Sequence, residues 1–99
     1  MVSPMVNLSV NGEPVPVDNF VQEFIGKVVT AMLVVLKGTE AMRNINLAIK
    51  EDAVAINVNN TPLPANPFVS SFIKNTVLGM VSSLKGVGEI KGLEISITD

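Results

Sequence analysis

At 99 residues and 10.5 kDa the chain has the length of one domain, with roughly 64% of its unfolded surface to bury on folding. It holds no cysteine, histidine, tyrosine or tryptophan, which excludes disulfides, thiolate and imidazole metal sites, and catalysis by those side chains. A net charge of −2 excludes the basic footprint of a general nucleic-acid binder, and nothing in the sequence implies a cofactor.

Charged residues make up 16% of the chain, against about 25% in soluble domains, and the mean hydropathy is +0.46. This balance predicts apolar surface that still needs a partner. Met1 to Gly12 lacks the basic start and apolar run of a signal peptide. The longest uncharged apolar run, Val28 to Leu36, falls short of the roughly 20 residues of a membrane span. A cytoplasmic chain without membrane or nucleic-acid partners is the expectation.

The sequence repeats itself. Shifted by 48, residues 6–49 lie on 54–97 without a gap, and fifteen of the 44 positions are identical. They include Asn11/Asn59, Pro14/Pro62, Phe20/Phe68, Phe24/Phe72, Met32/Met80, Lys37/Lys85 and Gly38/Gly86. Chance gives roughly three at this composition. The chain therefore reads as one domain, 1–99, made by tandem duplication of one unit.

Each unit opens with alternation. Val6, Leu8 and Val10 face one way and Asn7 and Ser9 the other, the pattern of a half-buried strand. Asn11-Gly12 is a hairpin signal. The return arm, Glu13 to Val17, is expected to set Leu8 opposite Val15 and Val6 opposite Val17, and its alternate prolines are tolerated only at a sheet edge. The second unit repeats this as Val54–Val58, Asn59-Asn60 and Thr61–Ala65.

A helix follows, with Asp18 or Asn66 as N-cap and Pro67 at the first position of the second helix. Phe20, Val21, Phe24, Ile25, Val28, Val29, Met32, Val35 and Leu36 form a stripe at helical spacing, expected to face the core. Phe68, Val69, Phe72, Ile73, Thr76, Val77, Met80 and Leu84 repeat it. Each helix is expected to end at Leu-Lys-Gly, with the glycine as a left-handed cap. A last strand closes each unit, with Ile45, Leu47 and Ile49 inward in the first and Leu93, Ile95 and Ile97 in the second.

The expected fold is α+β: two β(β)αβ units forming a ferredoxin-like split βαβ sheet with both helices on one face. Exchange of strands between two chains is an alternative. The opposite sheet face should carry Asn7, Ser9, Asn46, Ala48, Ala55, Asn57, Glu94 and Ser96, a small-residue polar surface that suits solvent, another sheet or a polar ligand.

On the helices, Gly26, Thr30, Leu33 and Val34 fall opposite the expected core stripe, with Leu78 and Val81 in comparable places. A contiguous apolar patch there marks an interface, and a homo-oligomer is the expected partner state. Lys37, Arg43, Lys85 and Lys91 recur in both units near the helix ends. They suit either the helix dipole or an anion held across the repeat axis. Glu51 and Asp52 are adjacent but belong to a turn, where solvated acids are ordinary. Lys85-Gly86-Val87-Gly88 lacks the preceding strand of a phosphate loop.

Val-Asn-Gly-Glu-Pro-Val (residues 10–15) resembles the first hairpin of β-grasp sulfur carriers, but the Gly-Gly end through which those act is replaced here by Ile97-Thr98-Asp99, so that activity is rejected. The run Val-Asn-Gly-x-x-Val-Pro, then Phe-Val, then Gly-Met-Val-Ser-Ser-Leu-Lys-Gly (Gly79 to Gly86) resembles a family of small uncharacterised prokaryotic proteins. That resemblance implies no activity and transfers no functional residue. The reading is a non-enzymatic oligomeric interaction module, with a small-ligand or anion binder as the alternative.

Overall fold

The computed structural model describes residues 5–37, 42–51, 53–84 and 86–98. The elements run β1 (Met5–Val10), β2 (Glu13–Val15), α1 (Asn19–Lys37), β3 (Asn44–Lys50), β4 (Ala53–Val58), β5 (Thr61–Pro62), α2 (Pro67–Ser82) and β6 (Gly92–Thr98). Six antiparallel strands form one sheet in the order β2-β1-β6-β3-β4-β5. The radius of gyration, 12.6 Å, is what a compact chain of this length has.

The order interlocks the two units. β1 does not pair with β3, the last strand of its own unit, but with β6 of the other, and β4 pairs with β3. Shifting each residue by 48 turns the register Val6↔Ile97 into Val54↔Ile49. The same shift carries the β3–β6 register onto itself, with Ile45↔Ile97 becoming Leu93↔Ile49. A pseudo-twofold axis normal to the sheet therefore passes between Leu47 and Ile95, which are both repeat equivalents and register partners.

Alternation decides which face is covered. Val6, Leu8, Val10, Ile45, Leu47, Ile49, Ile56, Val58, Leu93, Ile95 and Ile97 are buried on one face, beneath Ile25, Val29 and Leu33 of α1 and Ile73, Val77 and Val81 of α2. Each helix joins an outer long strand to a central one, and the pseudo-twofold makes the helices antiparallel. The caps fall where expected: Val21 N–H donates to Asp18 Oδ1 at 2.8 Å, and Val69 N–H to Asn66 Oδ1 at 2.8 Å. The expected C-caps differ. Gly38 lies outside the described residues, and α2 stops at Ser82, ahead of the left-handed Gly86. Two hydroxyls, Ser82 Oγ and Ser83 Oγ, donate to the Gly79 carbonyl and compete for the acceptor of the last turn. α1 has Val34 and Val35 there and runs on to Lys37.

Both hairpin turns are left-handed at two successive residues, Asn11-Gly12 (φ 53° and 82°) and Asn59-Asn60 (φ 51° and 65°), as a type I′ turn requires. Their first asparagines also tie the units together. Asn11 Oδ1 accepts from Lys91 N–H (2.7 Å) and Gly92 N–H (3.1 Å), while its Nδ2 donates to the Glu89 carbonyl (2.8 Å). Asn59 Oδ1 accepts from Arg43 N–H (2.8 Å) and Asn44 N–H (3.1 Å). Each turn thus clasps the start of the strand beside it, which belongs to the other unit.

The prolines of β2 and β5 oppose Ser9 and Asn57, with Leu8↔Val15 in the expected register. Both arms are short, so each outer long strand keeps an open stretch. In the first unit Gln22 fills it: Val6 N–H donates to Gln22 Oε1 and Gln22 Nε2 donates to the Val17 carbonyl, both at 3.2 Å. In the second unit Ser70 stands in that place, and among the described residues no side chain reaches the Val54 N–H.

Asn11→Ala is expected to lower unfolding free energy in urea by about 2 kcal/mol, from the lost clasp and the left-handed turn. Asn11→Gly keeps the turn geometry, so its smaller loss measures the clasp alone. Ser70→Gln is expected to raise stability by about 1 kcal/mol by closing the Val54 edge as Gln22 closes the other. Faster amide exchange at Val54 than at Val6, equalised by the substitution, checks the cause.

Candidate functional site: the outer face of the helical layer

α1 is apolar almost all round, and Asn19–Leu36 is long and apolar enough to cross a membrane by length and composition. Such a helix must bury more than one face. The sheet takes only one, the row Ile25, Val29 and Leu33 at i, i+4 and i+8. The outer row is left uncovered: Phe20, Phe24 and Val35 are exposed, the last at 85%. In α2 the inner row is Ile73, Val77 and Val81, and Phe68 and Phe72 stand outside.

Four phenylalanines, 53 to 75% exposed, therefore stand on the surface of a 99-residue chain. They form two equivalent pairs. Phe20 and Phe24 have ring centroids 6.1 Å apart, Phe68 and Phe72 6.2 Å apart, both with rings inclined at 49°. Phe20 and Phe24 border an apolar groove of about 550 Å³ between the helices, whose far side is Thr76, Gly79 and Met80 of α2 with Ser83 and Leu84 just after it. A Cβ added to Gly79 would meet nothing within 4 Å, so the groove floor is open there. The pseudo-twofold sets Phe68 and Phe72 at the other end of the layer, across from Ala31, Met32 and Val35.

One ion pair crosses the outer row. Lys27 Nζ lies 2.7 Å from Glu23 Oε1, one turn away, and this hydrogen bond with the adjacent positive charge holds the Glu23 carboxyl below its usual value. Both groups are solvated, so the pair adds little to stability.

This placement corrects the expected interface. Leu33 and Val81 are 1% and 0% exposed and belong to the core, and Gly26 is buried beside them. Thr30, Val34 and Leu78 are half-buried, Leu78 against the core. The helices are rotated relative to the stripe that periodicity suggested. Because α1 carries apolar residues on both its inner and its outer row, periodicity does not single out the inner one. The repeat does hold a signal: the inner positions are aliphatic in both units (Ile25/Ile73, Val29/Val77, Leu33/Val81). Outer positions drift to polar or small residues, as in Lys27/Asn75, Val34/Ser82 and Val35/Ser83. Phe20/Phe68 and Phe24/Phe72 stand out as identical and exposed.

The basic residues do not converge. Arg43 precedes β3 and Lys91 precedes β6, and these strands are antiparallel with Asn44 opposite Thr98 and Lys50 opposite Gly92. Arg43 and Lys91 thus sit at opposite ends of the pair, about 27 Å apart along the strands at 3.4 Å per residue, too far to share an anion. Their backbone N–H groups serve the asparagine clasps. Lys85 and the Lys37 side chain lie outside the described residues.

The polar sheet face is as expected. Asn7, Ser96, Asn46 and Asn57 form a row of register neighbours across β1, β6, β3 and β4, beside a shallow depression of about 250 Å³. Comparison with known protein families, with curated proteins and with solved structures finds no match to this chain.

Leu33→Glu places a charge in the core rather than on an interface. It is expected to abolish cooperative unfolding, because an unpaired buried charge costs several kcal/mol against a typical stability of about 5–15 kcal/mol. Loss of the urea transition and of native circular dichroism checks it. A folded but dissociated variant would contradict the helix orientation.

Proposed function

We propose that this protein is a non-enzymatic module that associates with a second copy of itself through the outer face of its helical layer. The observation that carries this reading is the exposed aromatic quartet, kept at equivalent positions of both units. Its architecture reads as a duplicated β(β)αβ unit closed into a split βαβ plait that departs from the expected ferredoxin-like one: the long strands run in the order β1-β6-β3-β4, so each crossover goes from an outer strand to a central one, whereas the ferredoxin-like order starts each crossover at the centre.

Surface arithmetic supports a covered face. The chain exposes Phe20, Phe24, Phe68, Phe72 and Val35 on the helical side. It is a slab of 35 × 34 × 19 Å. One broad face is about 1,200 Å² in plan, the product of the two long dimensions, and a stable interface needs about 800 Å² per partner. The helical face is the apolar one; the sheet face, with its carboxamides and hydroxyls, suits water. Aromatics and methionines are the residue types enriched where proteins meet. The outer row offers few cations, which disfavours an anionic membrane as occupant.

Light scattering coupled to size exclusion is expected to give about twice the chain mass. Phe20→Asp with Phe68→Asp is expected to give the single-chain mass with its thermal transition retained, because both residues lie outside the core. A wild type that stays a single chain at high concentration overturns the reading.

A further inference from the structure

The helical face has a pattern that fits itself. Around the pseudo-twofold its four corners alternate: the Phe20–Phe24 ridge, the Gly79 groove, the Phe68–Phe72 ridge, and the Ala31 end of α1. An interface between two identical chains is isologous, built on a dyad. Any dyad lying in the plane of the helical layer, along the helices or across them, exchanges each ridge with the recess beside it. A second copy laid face to face therefore seats aromatic on recess at every corner.

Two such dyads exist, and they differ in what meets at the centre. The middle of the outer row is Lys27 on α1 and its repeat equivalent Asn75 on α2. A dyad across the helices lays α1 on the partner's α1 and brings the two Lys27–Glu23 pairs together at one point, ammonium beside ammonium, where four charges lose solvent in the same closing apolar contact. A dyad along the helices lays α1 antiparallel on the partner's α2. Lys27 then faces the partner's Asn75, whose carboxamide oxygen accepts from an ammonium, while Glu23 stays within reach one turn away.

Resting on the self-association reading, we propose that the protein forms a two-chain, four-helix layer sandwiched between the two sheets, with α1 of each chain packed on α2 of its partner about a dyad parallel to the helices. The whole has three mutually perpendicular dyads, one true and two approximate. The sequence difference Lys27/Asn75 breaks the internal symmetry and selects the true one. The open floor at Gly79 and the small side chain at Ala31 let helices approach, and the phenylalanine pairs fill the remaining depth. Gly79→Phe is accordingly expected to weaken dimerisation at least tenfold while leaving the fold intact, since its Cβ meets no neighbour within the chain.

The native chain has no cysteine, so introduced thiols report contacts directly. Lys27→Cys and Asn75→Cys are made as separate full-length variants, checked for wild-type mass and thermal transition, and oxidised singly and as an equimolar mixture. Helix pairs at 8–10 Å bring facing Cα atoms within bridging distance. The expected result is a covalent dimer in the mixture, at least about tenfold above either variant alone. A covalent dimer from Asn75→Cys alone, which keeps Lys27, overturns the arrangement in favour of like helices facing each other, α1 on α1 and α2 on α2, and leaves self-association standing. A wild type of doubled mass with no cross-link in any sample overturns the helical face as the interface. A wild type of single-chain mass overturns self-association itself, and if that single chain floats with phosphatidylcholine vesicles the face belongs to a membrane.

Discussion

Everything in this fold depends on the pairing of β3 with β6. These strands are the last of their units, they lie at the centre of the sheet, and the pseudo-twofold passes between Leu47 and Ile95. Because each central strand takes the other unit's first strand as its outer neighbour, neither unit has a sheet of its own. One unit alone would hold two long strands separated by a gap and one helix over an empty groove. The strands of the two repeats interleave in one sheet, so neither repeat completes its half without the other. The Asn11 and Asn59 clasps reinforce it with side-chain bonds that run only between units.

The same interlock fixes what is exposed. A four-strand core with one helix over each half is only two layers thick, 19 Å through its shortest dimension. Its sheet buries one row of each helix. A helix carrying charges on its other rows would be satisfied by that, but α1 is apolar on nearly every side. Its composition therefore asks for a third layer that one chain does not contain. The conflict between helix composition and single-chain burial is the kind of local inconsistency that marks function rather than error. In α2 the conflict is milder, because Ser71, Asn75, Ser82 and Ser83 dilute the outer surface while Phe68 and Phe72 remain.

Most of the architecture is legible in the sequence. The strands alternate cleanly, so Val6, Leu8, Val10 and their counterparts are readable as inward, and the turn asparagines, the edge prolines and both N-caps sit where local chemistry puts them. The repeat makes each assignment twice. The helix orientation is not legible from periodicity, since Ile25–Val29–Leu33 and Phe20–Phe24 are both apolar rows at helical spacing. Side-chain size favours the phenylalanines as core, yet the sheet surface is made of aliphatic residues in rows, and a helix with β-branched and leucine side chains and a buried Gly26 lies close upon it. The difference at the candidate site is a partial turn of each helix: Ile25, Val29, Ile73 and Val77 stay in the core as expected, Leu33 and Val81 join them, and Phe20, Phe24 and Val35 leave the expected stripe for the surface.

A duplicated chain also constrains how it assembles. Two identical single-unit proteins forming this sheet would need a dimer to complete one domain. Fusion into one chain completes the domain within a monomer and releases the two units to diverge. In the core, divergence stays among aliphatic residues, as in Leu33 against Val81, whereas on surfaces it changes chemistry: Gln22 against Ser70 at the sheet edges, Lys27 against Asn75 at the centre of the helical layer, Val35 against Ser83 at its ends. The buried rows have kept their character because both units press on the same axis. Outside the core the turn asparagines and edge prolines have stayed constant for reasons of backbone geometry, and the pair of phenylalanines on each helix has stayed constant without one. Solvent gives no physical reason to keep a half-exposed aromatic at two independent positions in both copies, whereas a partner that covers both halves of the layer at once gives the same reason to each.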